Sequence, residues 1–455
     1  MKKIITAAAI AAMVASFAAA DVKVGLNNRV RPDLYKIEGI TSNDAKNKDA
    51  YTKTTYADLD GFAGAQDTLS VKGSSDYAGV SAEITLKNPG VKNSKDGGFA
   101  IDNYYGWVNW GALKFTAGTY DSRYTNRGNY TATEQGILDE EFSKTMGLST
   151  KSGLAVKGAG WLGDFGNVAQ VNGGNNLSFL VDYTFNDIGG GSLLLKGGLV
   201  ENGTSTDDEL TYTYVQAKDG KTKTTTDMSK IEEDDTIISI GYGSSEISYD
   251  DTSDSVKEDD DKFIQAAGYV FEAAWRKEGA VAVDFIFKNP VNKAYGFGLY
   301  VTPLMIPNTK NVVIGFTYGT QEDVTKSAFA IDFRGQYNIN SAATVALGAK
   351  YESYEADVDG ADAETAMQVA GEFSYKVNDL FTAALDLGYF NADLDNNDDD
   401  DDDGSQTFVT SLREKFTAGK NAAITTALRL NKVLNPADGK TDYTFDIPVV
   451  LRVKM

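Results

Sequence analysis

The chain contains no cysteine and no histidine, and only 7 prolines in 455 residues. Without cysteine there is neither a disulfide framework nor a thiolate metal site, even in a compartment that permits disulfides. Without histidine, Ser-His and Cys-His nucleophilic chemistry and imidazole metal ligation are excluded together. The few prolines form no linker between separate soluble domains, of which a chain this long could hold two or three. Beyond residue 17 no apolar run is long enough for a membrane-spanning helix. Positive charge is in deficit as well. Lys and Arg number 43 against 65 Asp and Glu, a formal charge of −22, which makes nucleic acid and acidic membrane surfaces poor partners.

The one early apolar run has the build of an export signal. Lys2 and Lys3 precede Ile4 to Phe17, and Ala18-Ala19-Ala20 supplies a small-residue cleavage site before Asp21. Residues 1–20 are therefore expected to be removed, leaving 21–455 as a single domain. Losing the two lysines leaves 41 basic residues against 65 acidic ones, a formal charge of −24.

What the sequence does have is alternation. In the final segment Tyr443, Phe445, Ile447, Val449, Leu451, Val453 and Met455 fall on one face, with Asp446, Arg452 and Lys454 on the other. A period of two over about 9 to 11 residues suits a strand with one side toward lipid and the other toward a polar lumen. The pattern recurs upstream in pairs. Phe329, Ile331 and Phe333 lead through Asn340-Ser341 into Val345, Leu347 and Ala349. Val369, Phe373 and Tyr375 lead through Asn378-Asp379 into Phe381, Leu385 and Leu387. Polar turn residues between such stripes signal hairpins. The 45 Gly, 24 Tyr and 22 Phe, with a mean hydropathy of −0.30, suit a barrel whose apolar residues are spread over one outer face. The expected fold is all-β, an antiparallel transmembrane barrel of about 18 to 22 strands, with 16 as the lower bound.

The connections fall into two alternating classes. Ser74 to Tyr77, Asn340-Ser341, Asn378-Asp379 and Thr417 to Asn421 are short. Thr41 to Asp67, Asp121 to Lys144, Glu201 to Asp235, Asp250 to Lys262, Glu352 to Thr365 and Asn391 to Gln406 are long. Short periplasmic turns and long outer loops are the transmembrane-barrel arrangement, whereas a soluble sandwich has no cause to segregate its loops by parity. The acid clusters Glu232 to Asp235, Asp250 to Asp261 and Asp393 to Asp403 all fall in long connections, which puts the negative charge at one mouth.

Strand parity assigns a lumen-facing set. It comprises Lys114, Lys196, Arg334, Lys350, Arg413 and Arg429 with Glu83, Asp332, Glu372 and Asp386, joined by Lys72, Lys376, Asp182 and Asp284. Two readings stand side by side: these charges select solutes, or they pair across strands and fill the lumen. Asp399, Asp401 and Asp403, ahead of Gly404, match the opening of a calcium loop. Thr410 stands where the bidentate Glu belongs, so weak Ca2+ association is the most this loop suggests, and no other cofactor is expected. Pro32 and Pro448 each lie within strand-like sequence near opposite ends of the mature chain. Each lacks a ladder donor, which predicts a bulged seam where the first and last strands meet.

From Asp102 to Arg127 the chain runs Tyr104-Tyr105-Gly106-Trp107-Val108-Asn109-Trp110-Gly111-Ala112-Leu113-Lys114-Phe115, then Thr119-Tyr120-Asp121-Ser122-Arg123. This strand, Gly turn, strand and Arg-bearing loop resembles the bacterial outer-membrane porins over about 25 residues, and elsewhere the resemblance is architectural. It implies a loop folded into the lumen, setting Arg123 and Arg127 against Glu134, Asp139, Glu140 and Glu141 across a constriction. The bland alternative is a solvated surface loop. The resemblance also implies an outer-membrane location, contact with outer-membrane lipid, passage of small hydrophilic solutes and ions, no enzymatic activity, and in many members a homotrimer. Departing from the family, the last residue is Met455 rather than an aromatic. The competing expectation is a surface-exposed structural or adhesive barrel without an open pore. Carboxylate-only hydrolysis finds no support in the spacing of the acids, and the residues before Asp67 are too few for a transporter's plug domain.

Overall fold

The computed structural model describes residues 21–30, 32–40, 51–58, 66–87, 98–119, 170–171, 174–175, 177–201, 210–218, 220–225, 230–232, 234–242, 245–248, 268–290, 294–322, 324–358, 360–391, 394, 406–434 and 441–455. The export signal expected over residues 1–20 lies outside them. The described residues form 26 strands and no α-helix. In chain order the barrel segments begin with β1 (Asp21–Val30), β2 (Asp33–Ile40), β3 (Tyr51–Asp58), β4 (Gln66–Ser74), β5 (Ala78–Lys87), β6 (Gly98–Trp110) and β7 (Leu113–Thr119). The two-residue strands β8 (Gln170–Val171) and β9 (Gly174–Asn175) pair only with each other. The wall resumes with β10 (Leu177–Ile188) and β11 (Gly191–Val200). It continues through β16 (Gly268–Lys277), β17 (Val281–Asn289), β18 (Ala294–Pro303), β19 (Thr309–Gln321), β20 (Thr325–Asn338) and β21 (Ala343–Ala356). The last five are β22 (Glu364–Lys376), β23 (Phe381–Asn391), β24 (Gln406–Ala418), β25 (Ala422–Leu434) and β26 (Thr441–Lys454).

Twenty of these segments share one antiparallel sheet, which closes because β26 pairs with both β1 and β2. β1 and β2 are successive halves of one stave, since β4 pairs with the first and β3 with the second. Taking β1/β2 and β3/β4 as one stave each gives a closed barrel of 18 staves, within the expected range. Closure removes the open sheet edges that hydrocarbon could not satisfy.

The alternation decides which way each side chain points. Phe373, Leu385, Leu387, Phe408, Leu412, Leu428 and Leu451 are exposed on one face, while Ala384, Asp386, Ser411, Arg413, Ala427 and Arg429 are buried on the other. An outer surface of Leu, Ile, Val and Phe running from stave to stave is one that lipid rather than water covers. Tyr and Phe pair across strands on this face, as in Tyr389–Phe408 at 4.8 Å and Phe381–Phe416 at 4.9 Å between centroids.

The start of β1, the end of β26 and most of the tight turns sit at one end of the barrel. Gly189 and Gly190 make the β10–β11 turn with φ of 63° and 76°, the two positive dihedrals a two-residue hairpin needs. Asn340 Oδ1 accepts from the backbone N–H groups of Ala342 and Ala343, and Asn378 Oδ1 does the same for Leu380 and Phe381. At the opposite end lie the long connections, but the two classes do not alternate strictly. β17–β18 and β19–β20 are joined there by links as short as the turns below.

Two expected loops contain strands. Thr41 to Asp67 includes β3 and the start of β4, in a stave whose Thr52, Thr54 and Thr55 give no apolar stripe to read. Glu201 to Asp235 includes two strands of a separate four-stranded sheet, formed by β12 (Leu210–Val215), β13 (Thr222–Thr225), β14 (Thr236–Tyr242) and β15 (Ser245–Ser248).

The seam behaves as the prolines predict. Pairing of β1 with β26 runs from Asn27↔Lys454 to Val30↔Leu451, and the Val449 N–H donates to the Pro32 carbonyl at 2.9 Å. Asp33 then faces Pro448, and the register shifts by one before Lys36↔Asp446, leaving Leu34 and Tyr35 against Ile447. On the far side, β25 loses its regular pairing with β26 opposite Ile447 and Pro448. The bulge therefore sits at the depth of the two prolines.

Candidate functional site

Among the described residues, the inner wall concentrates charge against a packed background. Of the fourteen residues assigned to it by parity, Lys196, Asp284, Asp332, Arg334, Glu372, Asp386, Arg413 and Arg429 are buried on the face opposite the apolar stripe. Glu83, Lys114 and Lys196 come from the first half of the barrel, and Asp332, Arg334, Lys350, Glu372, Asp386, Arg413 and Arg429 from the second. Arg123, Arg127, Glu134, Asp139, Glu140 and Glu141 lie outside the described residues, as do Asp399, Asp401 and Asp403. Among the described residues no group of three or more acidic side chains is placed to hold a metal ion.

Register turns single charges into rows. Lys114 of β7 faces Asp182 of β10, Asp182 faces Lys196 of β11, and Lys196 faces Glu272 of β16. The signs alternate across four neighbouring staves, and the last pair is closed by Lys196 Nζ to Glu272 Oε2 at 3.1 Å with both groups almost fully buried. Lys114 Nζ also lies 5.7 Å from the Trp107 ring centroid, held by the ring's negative face. Trp107 lies flat because Gly79 stands directly opposite. A Cβ there would come within 2.0 Å of the indole, so only glycine lets the ring rest on the backbone.

A second cluster lies beside the seam. Glu372 of β22 faces Asp386 of β23, a like-charge pair that would repel if left alone. Arg413 of β24 reaches both, with Nη2 at 2.5 Å from Glu372 Oε2 and Nε at 3.1 Å from Asp386 Oδ2. One stave further, Arg429 donates from Nε to Asp446 Oδ1 at 2.8 Å and from Nη2 to Asp446 Oδ2 in a bidentate clamp. Lys350 pairs with its strand neighbour Glu352 at 2.5 Å. Cross-strand neutralisation therefore accounts for much of the charged wall.

The sector from β10 to β20 adds a feature the parity argument missed. Leu180, Val200, Val270, Ile286, Tyr300, Val313, Ala328 and Ala330 form one buried cluster on the inner face, with Tyr105 and Tyr354 packed against it. The clue was in the sequence, since the inward positions of β16 to β18 include Val270, Ile286 and Tyr300 between charges. Tyr300 is accommodated by Gly315, where a Cβ would lie 2.7 Å from its ring. This side of the interior is packed, with the apolar cluster set among buried charges such as Glu272, Asp284 and Lys288. The short-turn half of the other side, around Lys23 and Lys72, is open to water.

Outside the spanning segments, two turn carboxylates are tuned by their partners. The Arg276 hydrogen bond holds Glu278 below its ordinary 4.5, and the Lys376 hydrogen bond holds Asp379 below its ordinary 3.8.

No protein-family description matches the chain, and no curated protein matches it. Among solved structures it is similar to an anion-selective porin from Comamonas acidovorans, at 11% identity over 96% of this chain and 100% of that one, with a TM-score of 0.46. It is also similar to OpdO of Pseudomonas aeruginosa, at 9% identity over 96% and 97%, TM-score 0.47. A third is the outer membrane channel DcaP of Acinetobacter baumannii, at 11% identity over 96% and 98%, TM-score 0.37. Likenesses this distant lend no weight to a function, which rests on the chain's own geometry.

Proposed function

We propose that this protein is an outer-membrane channel through which small hydrophilic solutes and ions diffuse. The observation that carries the reading is the closed 18-stave wall with lipid-compatible residues outside and rows of charge inside. Barrels of 16 to 18 strands are wide enough to leave an aqueous path, whereas barrels of about eight strands are filled by their own side chains. Charged groups along such a path replace part of a solute's hydration, and their pairing keeps the wall close to neutral. No step in this function needs a catalytic group. The tight-turn end is periplasmic, and the acid-rich connections open outward. Reconstitution in a planar bilayer tests the proposal, with stepwise conductance increments expected and a silent bilayer fatal to it.

One observation favours a second reading, a surface barrel without an open pore. The packed cluster from Leu180 to Ala330 occupies an interior sector that a uniformly water-filled lumen would wet. The two readings part on the same measurement. A channel whose path runs along the β21 to β7 side conducts, and a filled barrel does not.

A further inference from the structure

Opposite signs meet across most of the inner wall, and the like-charge pair Glu372 and Asp386 is bridged by Arg413, but one row of like charge has no such bridge among the described residues. Lys23 of β1 stands directly opposite Lys72 of β4, Lys72 opposite Ser81 of β5, and Ser81 opposite Tyr105 of β6. Two ammonium groups and two hydroxyls thus share one level with no carboxylate among them. Both lysines are exposed, and among the described residues neither has an ion-pair partner. Directly opposed like charges destabilise a sheet, so this row carries a cost that the alternating row from Lys114 to Glu272 avoids. Two acids share this face one step along the strands: Asp21, two residues before Lys23 and opposite Ser74, and Glu83, opposite Ser70; each is diagonal to Lys72 and neither stands in the row itself. Further along the wall Arg452 and Lys454 of β26 continue the positive sign at the short-turn end, with Arg452 Nε donating to Asn27 Oδ1 at 3.3 Å.

We propose that Lys23, Lys72 and Ser81 form a binding site for phosphate-type multivalent oxyanions at the short-turn mouth of the barrel. Side chains opposite each other on paired strands have Cβ atoms about 4.5 to 5.5 Å apart, so two lysine termini can converge on one tetrahedral anion. A dianion between them converts mutual repulsion into two charge-assisted hydrogen bonds, and a hydroxyl beside them donates a third. A monovalent halide offsets only half of that charge. The site lies at the short-turn mouth, the end at which β26 finishes against β1. The proposal rests on the channel reading for its role in transport, but not for binding itself.

Calorimetry on the detergent-purified full chain, titrated with inorganic phosphate and in a parallel arm with glucose 6-phosphate, tests it at constant ionic strength. Saturable binding is expected, weakened roughly tenfold in the Lys23→Gln/Lys72→Gln double variant and kept in the Lys23→Arg/Lys72→Arg variant. Binding of inorganic phosphate alone assigns the site to the free ion, and binding of both assigns it to phosphate groups in general. Lys326→Gln, at the far end of the barrel, is the control and should bind as the parent does. Heat-modifiable gel mobility establishes that each variant is folded. No saturable heat with the parent chain, or equal binding by a folded double glutamine variant, overturns the proposal. In bilayers, phosphate added on the short-turn side should reduce chloride current more than phosphate added opposite. A chain that binds phosphate yet never conducts would retain the site and sink the channel reading, and a chain that conducts without binding would do the reverse.

Discussion

At the residue scale, the inner wall shows how far one guanidinium can decide whether a charge cluster is tolerable. Arg413 neutralises Glu372 and Asp386, which face each other across adjacent strands and are nearly inaccessible to solvent. Removing a buried partner leaves uncompensated charge, so Arg413→Ala should cost about 3 to 5 kcal/mol in a reversible unfolding titration in lipid vesicles. Adding Glu372→Gln to that variant should recover part of the loss, whereas full additivity of the two would show that the triad does not act as a unit. Gly79 offers a separate test. Gly79→Val would push the Trp107 indole off the backbone and away from Lys114, and a shift in tryptophan emission is expected. The lumen-facing set was legible from parity because a strand has only two faces. Its partners were not, since Lys196 meets Glu272 only through a pairing between β11 and β16 that skips 67 residues of sequence.

At the element scale, legibility followed the apolar stripe. Hairpins such as β20–β21 and β22–β23, with aromatic or aliphatic residues at most outward positions and an Asn-containing turn, are readable from sequence alone. β3 is not, because threonines occupy positions where an aliphatic stripe would have announced a strand. The buried sector from β10 to β20 was hidden for the opposite reason, since Val270, Ile286 and Tyr300 point inward where polar residues were expected. The turns carry their own pH dependence. Glu278 and Asp379 have carboxyls held below their ordinary values, so their contribution is complete above about pH 5 and fades as acid drives the pH through the lowered values. Amide protection factors at the β16–β17 and β22–β23 turns should therefore fall on acidification, with no matching fall at the Gly189-Gly190 turn. At the seam, Leu34 and Tyr35 in the bulge should exchange faster than their counterparts in the β20–β21 ladder. Equal protection would mean that the register shift costs nothing in local stability.

At the scale of the whole molecule, positive charge gathers near one end of the inner face, where Lys23, Lys72, Arg452 and Lys454 lie by the short turns. Fixed charge at a mouth attracts counter-ions only within a screening length of about 10 Å at 0.1 M salt and less at higher concentration. Reversal potentials measured in salt gradients should accordingly fall toward zero as total salt is raised, and a selectivity unmoved by salt would place the filter deeper in the wall. The 18-stave count also sets an order of events in time. The contact that shuts the ring joins Asn27 to Arg452, 425 residues apart in sequence, so its loop-closure cost is high and it is expected to form after the local hairpins. Until then the chain is an open, curved sheet whose two rims can recruit a neighbouring polypeptide, the hazard that any unpaired strand presents. One rim carries Pro32 followed by the displaced Leu34 and Tyr35, and the other carries Pro448. A foreign strand with an unbroken ladder fits either rim badly, and each rim fits the other, so the irregularity that weakens the finished seam guards the unfinished one.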